Sequence, residues 1–357
     1  RNFFRRLSVN VGQRHGSLRG SVEGQGGQFG VNSHDRCDSP CLNLVCAVCR
    51  RHSHNMPQSQ VVQPRNLIQH NMHITALGRS QDWAGALMLL DEMPTLGVMP
   101  DVISFNAAIS ACSKCGHWEC ALVLLNHMCA LRLTPNVITF NTAISACQKD
   151  GKWESALALL DDILAGSIRP DLFSFNSAIA VCKKGGQSNH ALALLDTMRA
   201  LGVMPDVVSF NTAISVCEKF KKWDIALALQ SEMCTSCLTP DVISFNATIS
   251  ACAVGGKWEH ALVGFAKMSV SGVSPNLITF NAVMSACEKG GRWELVVAVL
   301  HEMRVSDVEP DVISFNAAIS AYEKGGEWRC ALAVLDRMRL LDLLPDVISF
   351  CAAISAC

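Results

Sequence analysis

Apolar and polar residues recur along this chain with a period of 35 residues. The segment PDVISFNAAISA occupies 100–111 and returns at 310–321. Near-copies begin at Pro135, Pro170, Pro205, Pro240, Pro275 and Pro345. A constant period of this length predicts stacked supersecondary units. If the second residue after each proline is position 1, the eight full repeats are 67–101, 102–136, 137–171, 172–206, 207–241, 242–276, 277–311 and 312–346, and a partial repeat covers 347–357.

The pattern inside each repeat predicts two helices, A and B. Positions 4, 7, 8 and 11 are apolar in most repeats, which is the spacing of one helical face. Ser or Thr at position 3 is the predicted N-cap of helix A. Glycine pairs such as Gly255–Gly256 and Gly290–Gly291 are predicted to end helix A. Helix B then begins at position 17, and the proline at position 34 ends the repeat.

One helical hairpin cannot bury both faces of its helices, so neighbouring repeats have to stack. We therefore expect an all-α, right-handed α-solenoid whose inner groove is lined by the A helices. All seven tryptophans fall at position 17, where only Ser188 departs, and a methionine recurs at position 27. We interpret these Trp and Met side chains as core filling between helices rather than as a cofactor site.

Composition narrows the class of protein. Charged residues make up 17% of the chain and the net charge is −1, which argues against a uniformly basic surface. No apolar run reaches the roughly 18 residues of a membrane-spanning helix. The chain has 18 cysteines, but half of the fourteen in the array share position 11, so we interpret these as small buried hydrophobes. Reduced thiols of this kind indicate an intracellular compartment.

Residues 1–66 precede the repeats and are predicted to be a poorly ordered leader. The first 22 residues hold five arginines and no acid, which suits an organellar transit peptide or a leader with a chance basic bias. The first residue is Arg and the last repeat is partial, so we expect an incomplete gene product. Cysteines and histidines between Cys37 and His54 form the one metal-like cluster, but their spacing is too compact for a zinc ribbon or finger.

Two polar positions are nearly constant. The Asn at position 5 and the Asp or Asn at position 35 each have an ordinary explanation. Asn costs little near a helix start, and Asp or Asn suits a turn after proline. A core position would not select an amide, however, and an amide facing a groove offers a donor and an acceptor to a base edge. Position 5 is Asn71, Asn106, Asn141, Asn176, Asn211, Asn246, Asn281 and Asn316. Position 35 is Asp101, Asn136, Asp171, Asp206, Asp241, Asn276, Asp311 and Asp346.

Two further positions are candidates for contacts with a ligand in the groove. Position 2 is apolar and would either sandwich a base or seal the contact between A helices. Position 13 is basic, and its cations suit either a phosphate backbone or the C-terminal end of the helix dipole. The position-2 residues are Ile103, Ile138, Phe173, Val208, Ile243, Ile278 and Ile313, with Ile68 and Ile348 at the ends. The position-13 residues are Arg79, Lys114, Lys149, Lys184, Lys219, Lys289 and Lys324, and Val254 is the exception.

The 35-residue period, with V-x-[ST]-F-N-x-x-I opening helix A and P-D closing most repeats, resembles the pentatricopeptide repeat family over residues 67–357. The tetratricopeptide repeat, its rival, has a 34-residue period and binds protein tails. The resemblance implies sequence-specific binding of single-stranded RNA in mitochondria or chloroplasts, one base to each repeat. It also implies that positions 5 and 35 choose the base, Asn with Asp for uracil and Asn with Asn for cytosine.

We therefore expect a non-catalytic protein that binds pyrimidine-rich RNA in RNA processing, stability or translation, without a cofactor, metal, membrane or small-molecule substrate. RNA-processing proteins are its expected further partners. The sequence lacks the zinc-deaminase motif H-x-E followed by P-C-x-x-C, the phosphate-binding loop motif and H-E-x-x-H. Two alternatives stay open: a protein-binding helical scaffold, and the targeting part of a longer enzyme whose catalytic domain follows residue 357.

Overall fold

The computed structural model describes residues 64–166 and 168–357, and within them it contains seventeen α-helices and no strand. Helices A and B alternate along the chain as the 35-residue period predicts. The A helices are α1 (Pro64–Arg79), α3 (Val102–Cys115), α5 (Val137–Gln148), α7 (Leu172–Lys184), α9 (Val207–Lys219), α11 (Val242–Val254), α13 (Leu277–Lys289), α15 (Val312–Gly325) and α17 (Val347–Ala356). The B helices are α2 (Trp83–Glu92), α4 (Trp118–Ala130), α6 (Trp153–Ala165), α8 (Ser188–Ala200), α10 (Trp223–Thr235), α12 (Trp258–Val270), α14 (Trp293–Val305) and α16 (Trp328–Leu340).

The chain divides into two compact units, of which the first ends at Thr197 and the second begins at Met198. In the N-terminal unit α1, α3, α5 and α7 pack on one another in sequence, and in the C-terminal unit α9, α11, α13, α15 and α17 do the same. Each B helix in these contacts packs on its own A helix and on the next A helix of its unit. Each unit is thus a segment of an all-α solenoid, while the predicted right hand stays a prediction.

The repeat array begins slightly earlier than the period suggested. Helix α1 starts at Pro64, inside the segment 1–66 that the sequence assigned to a leader. Proline suits the first position of a helix because its fixed φ is already helical and its missing N–H would have no partner there. The arginine-rich residues 1–22 and the cluster between Cys37 and His54 lie outside the described residues, so both interpretations stay predictions.

The N-cap prediction was wrong by three residues. Helix A begins at position 1, and its N-cap is the position-35 residue of the preceding repeat. Asp101 caps α3 by accepting the N–H of Ser104 at 2.9 Å, and Ser104 accepts the N–H of Asp101 at 3.2 Å. The Ser or Thr at position 3 is therefore the third helical residue, the other half of a capping box. The same box opens α3, α5, α7, α9, α11, α13, α15 and α17.

The predicted core is confirmed at the recurring Phe, Met and Cys positions. The position-4 phenylalanines of the full repeats are buried, the position-27 methionines are completely buried, and the position-11 cysteines from Cys112 to Cys287 have no exposed surface. Burial raises the pKa of the Cys147 and Cys182 thiols to about 12 and that of Cys252 to about 11. These thiols are protonated at neutral pH, so they act as hydrophobes rather than as nucleophiles.

The paired glycines that end helix A serve two different needs. In the pair Gly255–Gly256, a Cβ on Gly255 would lie 2.6 Å from Cδ1 of Trp223 in the preceding repeat, so the first glycine makes room for the indole. Gly256 has φ +68°, which a residue without Cβ adopts without strain, so the second glycine allows the turn. Lys257 follows and lies over the Trp223 ring at 5.2 Å, which adds a cation–π contact to the same seam.

Gln230 is an exception to the apolar pattern and yields a prediction. It is only 7% exposed on α10, at a position that is otherwise Leu or Phe in the repeats, and its Nε2 has no hydrogen-bond partner in the described part of the chain. Because a buried unpaired amide costs about 1–3 kcal/mol, Gln230→Leu is expected to raise the free energy of unfolding by about 1 kcal/mol. Urea denaturation would measure it, with exposed Gln148→Leu as the neutral control. A loss of stability in Gln230→Leu would contradict the expectation.

Among the described residues, no helix is both long enough and apolar enough to cross a membrane. In the same part of the chain, no three His, Cys, Asp or Glu side chains gather in a group that could hold a metal ion.

Candidate functional site

The two nearly constant polar positions meet at the N-terminal ends of the A helices. We call the position-5 Asn and the position-35 Asp or Asn of one repeat its 5/35 pair. Asn71 lies on α1, whereas Asp101 caps α3, the next A helix. The Nδ2 of Asn71 donates to Oδ1 of Asp101 at 3.2 Å, although the two residues are 30 positions apart in the chain. Stacking of consecutive A helices therefore creates the pair, and each pair marks the seam between two repeats.

The same contact recurs in both units. The Nδ2–Oδ1 distance is 3.0 Å for Asn141/Asp171, 3.1 Å for Asn211/Asp241 and Asn316/Asp346, 3.2 Å for Asn246/Asn276 and Asn281/Asp311, and 3.5 Å for Asn106/Asn136. Asn176 and Asp206 belong to different units, so their pairing stays a prediction. Asn71 and Asn141 are the most enclosed of these amides, with 9% and 6% of their surface exposed.

The capping box determines which atoms of a pair remain available. In the third repeat, Oδ1 of Asp171 accepts the Ser174 N–H at 2.8 Å and the Asn141 amide at 3.0 Å. The hydroxyl of Ser174 lies 2.6 Å from Oδ1 of Asn141. One N–H of Asn141 and Oδ2 of Asp171 are left without a hydrogen bond to any described group. The pair therefore offers one donor and one acceptor side by side.

An Asn at position 35 changes the chemical character of the available atom. Oδ1 of Asn276 accepts the Thr279 N–H at 3.0 Å and the Asn246 amide at 3.2 Å. Because capping requires an oxygen at this place, the atom left over is Nδ2, a donor, where Asp leaves Oδ2, an acceptor. Replacing Asp by Asn thus inverts the hydrogen-bonding character of the free atom without disturbing the cap.

The carboxylates of Asp171, Asp241 and Asp311 are ionised at neutral pH. Burial by itself would raise the pKa of Asp171, but hydrogen bonds from the backbone and hydroxyl of Ser174 and from the Asn141 amide outweigh it, and the pKa lies below its usual value. The pKa of Asp241 and Asp311 is lowered in the same way. These side chains are therefore acceptors only.

The position-2 residues do not seal the contact between A helices. Their side chains are exposed on every A helix, from 56% for Val208 to 64% for Ile243, Ile278 and Ile313. A regularly spaced row of exposed side chains beside the 5/35 pairs leaves apolar surface free for a flat ring. This exposure argues against a seal between A helices, and the base sandwich stays a prediction.

The position-13 cations are exposed at or near the C-terminal ends of the A helices. Eleven residues separate position 13 from position 2, about three helical turns, so both lie on the same side of the helix. At least three of the cations also contact protein groups: Lys324 pairs with Glu288 at 2.9 Å, Lys149 donates to the carbonyl of Lys114, and Lys219 lies over the Phe220 ring at 5.6 Å. Glu288 was not among the residues expected from the sequence, although it lies at position 12 of the repeat that precedes Lys324.

Models of repeat families match the chain over most of its length. The model described as PPR repeat family matches residues 100–149, 135–184, 170–219 and 275–317. The pentatricopeptide repeat domain model matches 228–290 and 298–357, and the PPR repeat model matches 208–238. These matches together run from residue 100 to residue 357. A comparison with curated proteins finds no match.

Solved structures with the same architecture include the pentatricopeptide repeat protein PPR10 from maize. It is 22% identical, with 88% of this chain and 55% of PPR10 covered, and the TM-score is 0.53, which shows the fold. The chain therefore spans about half of the length of PPR10. PPR10 in complex with an 18-nt psaJ RNA element aligns with a TM-score of 0.42 at 22% identity, covering 88% and 54% of the two chains. The PPR domain of Arabidopsis thaliana protein-only RNase P 1, in complex with tRNA, aligns at 17% identity with a TM-score of 0.42, covering 46% of this chain and 88% of that domain.

Proposed function

This chain belongs to the pentatricopeptide repeat family, and on that premise we propose that it binds single-stranded RNA with one base at each 5/35 pair. The observation that carries the proposal is the repeated pair itself. At seven seams an Asn amide donates to an Asp or Asn cap, and in the third repeat the pair leaves two hydrogen-bonding atoms side by side. A single base edge needs that kind of small, directional site. PPR10, which shares this fold, has been solved with RNA.

The atoms that remain available favour pyrimidines of two kinds. Uracil presents an N–H between two carbonyl oxygens, so Oδ2 of Asp can accept the N–H while the Asn amide donates to a neighbouring carbonyl. Cytosine presents a ring nitrogen that accepts, which suits the Nδ2 of an Asn at position 35. With the parallel 5′ to 3′ polarity that the family resemblance implies, the eight repeats favour U-C-U-U-U-C-U-U.

The neighbouring positions supply contacts that do not depend on sequence. The exposed position-2 side chains would hold the faces of adjacent bases, in the way that repeat proteins stack bases between side chains. The position-13 cations would neutralise phosphates along the same side of the A helices. We place the activity in RNA processing, stability or translation in a chloroplast or mitochondrion, where the protein would cover RNA or recruit RNA-processing proteins rather than catalyse a reaction.

Selection from a random RNA pool tests the proposal. The chain is immobilised, bound RNA is recovered over several rounds, and the enriched sequences are aligned to the repeats. Enrichment of a pyrimidine octamer with cytosine at the second and sixth bases is expected. Enrichment of purines, or of no sequence, would contradict the base preference. A chain that retains no RNA but captures peptides in a salt-insensitive manner would favour the protein-binding scaffold instead.

The salt dependence of binding gives an independent prediction. If all seven position-13 cations contact phosphates, the logarithm of the association constant should fall with the logarithm of salt concentration at a slope of about −5, since single strands give about −0.7 for each contact. Fluorescence anisotropy with the predicted octamer between low and moderate salt would measure the slope. Lys289→Gln should reduce its size by about 0.7, whereas exposed Lys267→Gln on the B helix α12 should leave it unchanged.

A further inference from the structure

A buried hydroxyl lies behind the 5/35 pairs, supplied by position 3 of the following repeat. Ser174 is completely buried, and its Oγ lies 2.6 Å from Oδ1 of Asn141 and 2.8 Å from Oδ1 of Asp171. The contact with the position-5 amide recurs at 2.6 Å for Ser104 with Asn71, Ser244 with Asn211, Thr279 with Asn246 and Ser314 with Asn281, and at 2.5 Å for Ser349 with Asn316.

The Ser174 hydroxyl has two acceptors within hydrogen-bond distance, and the amide oxygen of Asn141, at 2.6 Å, is nearer than Oδ1 of Asp171, at 2.8 Å. Two oxygens that approach to 2.6 Å repel unless a proton lies between them, and Oδ1 of the amide carries none. Ser174 therefore donates to Asn141 and shares the same proton with Oδ1 of its own cap, Asp171. Its own lone pair accepts the N–H of Asp171 at 3.2 Å, while Oδ1 of Asp171 is occupied by the Ser174 N–H and the Asn141 amide. Every group in this small ring has a partner, and the two contacts of the Asn141 amide fix its orientation.

The ring holds the Asn amide at both of its ends. A flipped amide would place its oxygen against the Asp171 carboxylate and its NH₂ against a hydroxyl that could no longer donate to it. With the oxygen held by Ser174, the second N–H of Asn141 points away from the hydroxyl and stays available. We propose that the position-3 hydroxyl of the following repeat is a positioning residue that sets the base selectivity of the preceding 5/35 pair. This inference rests on the proposed RNA binding and adds a third residue to each pair.

Two seams with the same residue types already differ in this contact. In the sixth repeat, Thr279 donates to Asn246 at 2.6 Å and the Asn246–Asn276 distance is 3.2 Å. In the second repeat, Thr139 lies 3.0 Å from Oδ1 of its own cap, Asn136, as Thr279 does from Asn276, but it makes no hydrogen bond to Asn106. Oδ1 of Asn106 is buried without a partner among the described residues, and its amide lies 3.5 Å from Asn136. The second repeat should therefore discriminate its base less sharply than the sixth.

The test compares Ser174→Ala with Ser174→Thr in the full chain. Affinity is measured for the predicted octamer and for three versions changed at the third base, which faces the Asn141/Asp171 pair. The wild type is expected to prefer uracil there by about tenfold. Ser174→Ala should reduce that preference to about twofold and leave the other bases unaffected, whereas Ser174→Thr should keep it, because Thr279 makes the same contact.

The control is Ser177→Ala, which removes a hydroxyl from another buried serine of the same helix, outside the ring. Thermal unfolding of all variants identifies any general loss of structure. If Ser174→Ala weakens all four RNAs equally and keeps the wild-type preference, the hydroxyl is merely structural and the inference is wrong. A wild-type chain that binds RNA without preference at any base would instead overturn the proposed function, and this inference with it.

A measurement without RNA follows the amide itself. In the free chain, the side-chain amide resonances of Asn141 should show slow rotation about the Cγ–Nδ2 bond and slow hydrogen exchange. This is expected both in the wild type and in Ser174→Thr. Both rates should rise in Ser174→Ala and stay unchanged in Ser177→Ala. Unchanged rates in Ser174→Ala would show that the amide is fixed without the hydroxyl, which overturns the inference whatever the RNA measurements give.

Discussion

Asn276→Asp is expected to change the preferred sixth base from cytosine to uracil. The substitution replaces the available donor Nδ2 by an acceptor Oδ2, so the ring N–H of uracil acquires a partner and the ring nitrogen of cytosine is left without one. One buried hydrogen bond, made or broken, changes the binding free energy by about 1–3 kcal/mol, which corresponds to a swing of about tenfold or more in the ratio of the two affinities. Anisotropy titrations with octamers that differ only at the sixth base would measure that ratio.

The change should leave folding nearly unaffected. Asn276 caps α13, and Asp241 caps α11 with the same capping box, so either residue type serves the helix. Asp and Asn are also nearly equal as N-caps in general. Unchanged thermal unfolding of Asn276→Asp would confirm that the effect on binding is chemical rather than structural.

The reciprocal variant Asp241→Asn controls for charge. It should move the fifth base from uracil to cytosine while removing a negative charge, whereas Asn276→Asp adds one. A general effect of charge on RNA affinity cancels in the ratio of two RNAs of equal length. A ratio that stays constant at the sixth base, or that moves equally at the fifth and seventh, would contradict the assignment of one base to each pair.

Phe280→Ala is expected to cost about 3–5 kcal/mol of unfolding free energy. The Phe280 ring is completely buried next to the position-5 Asn281, and it packs on Phe265 of the preceding B helix at a centroid distance of 5.3 Å. Truncation leaves a cavity among Met284, Met303 and their neighbours, which a packed helical pair fills only in part. Urea denaturation followed by circular dichroism would measure the loss.

Phe350 provides the matched control because it holds the same motif position in the partial repeat and is 40% exposed. Phe350→Ala should cost less than half as much. The stability of stacked repeats is roughly a sum of local terms. The Phe280→Ala loss should therefore also weaken binding at the sixth and seventh bases more than at the first three. Equal losses in the two variants would show that burial of this position does not determine its contribution.

The sequence alone was sufficient for the element order and for the chemical identity of the pairs. A 35-residue period with apolar residues at positions 4, 7, 8 and 11 has one regular solution, two helices to a repeat, because only one face of each helix can reach the core. The buried Cys112 and its equivalents and the exposed Ile243 and its equivalents both follow from their place in that period.

The wrong N-cap shows where sequence reasoning failed. Ser104 and Asp101 are both favourable caps and lie three residues apart, so composition cannot choose between them. The backbone conformation identifies the N-cap, because Asp101 has extended φ and ψ angles while Ser104 is already helical. The consequence is functional, because the residue that would read a base is also the residue that begins the next helix.

The amino-acid sequence by itself determined the period, the helical pattern and the presence of an amide at position 5 and an Asp or Asn at position 35, since each depends on residue type and spacing. Only the tertiary structure decided which atoms remain available. Stacking brings Asn141 on one helix together with Asp171 and Ser174 at the start of the next, and the capping box then uses one oxygen and leaves its neighbour free. The hydroxyl contact that Thr279 makes with Asn246 and that Thr139 does not make with Asn106 is also decided by tertiary structure, because the residue types at the two seams are identical.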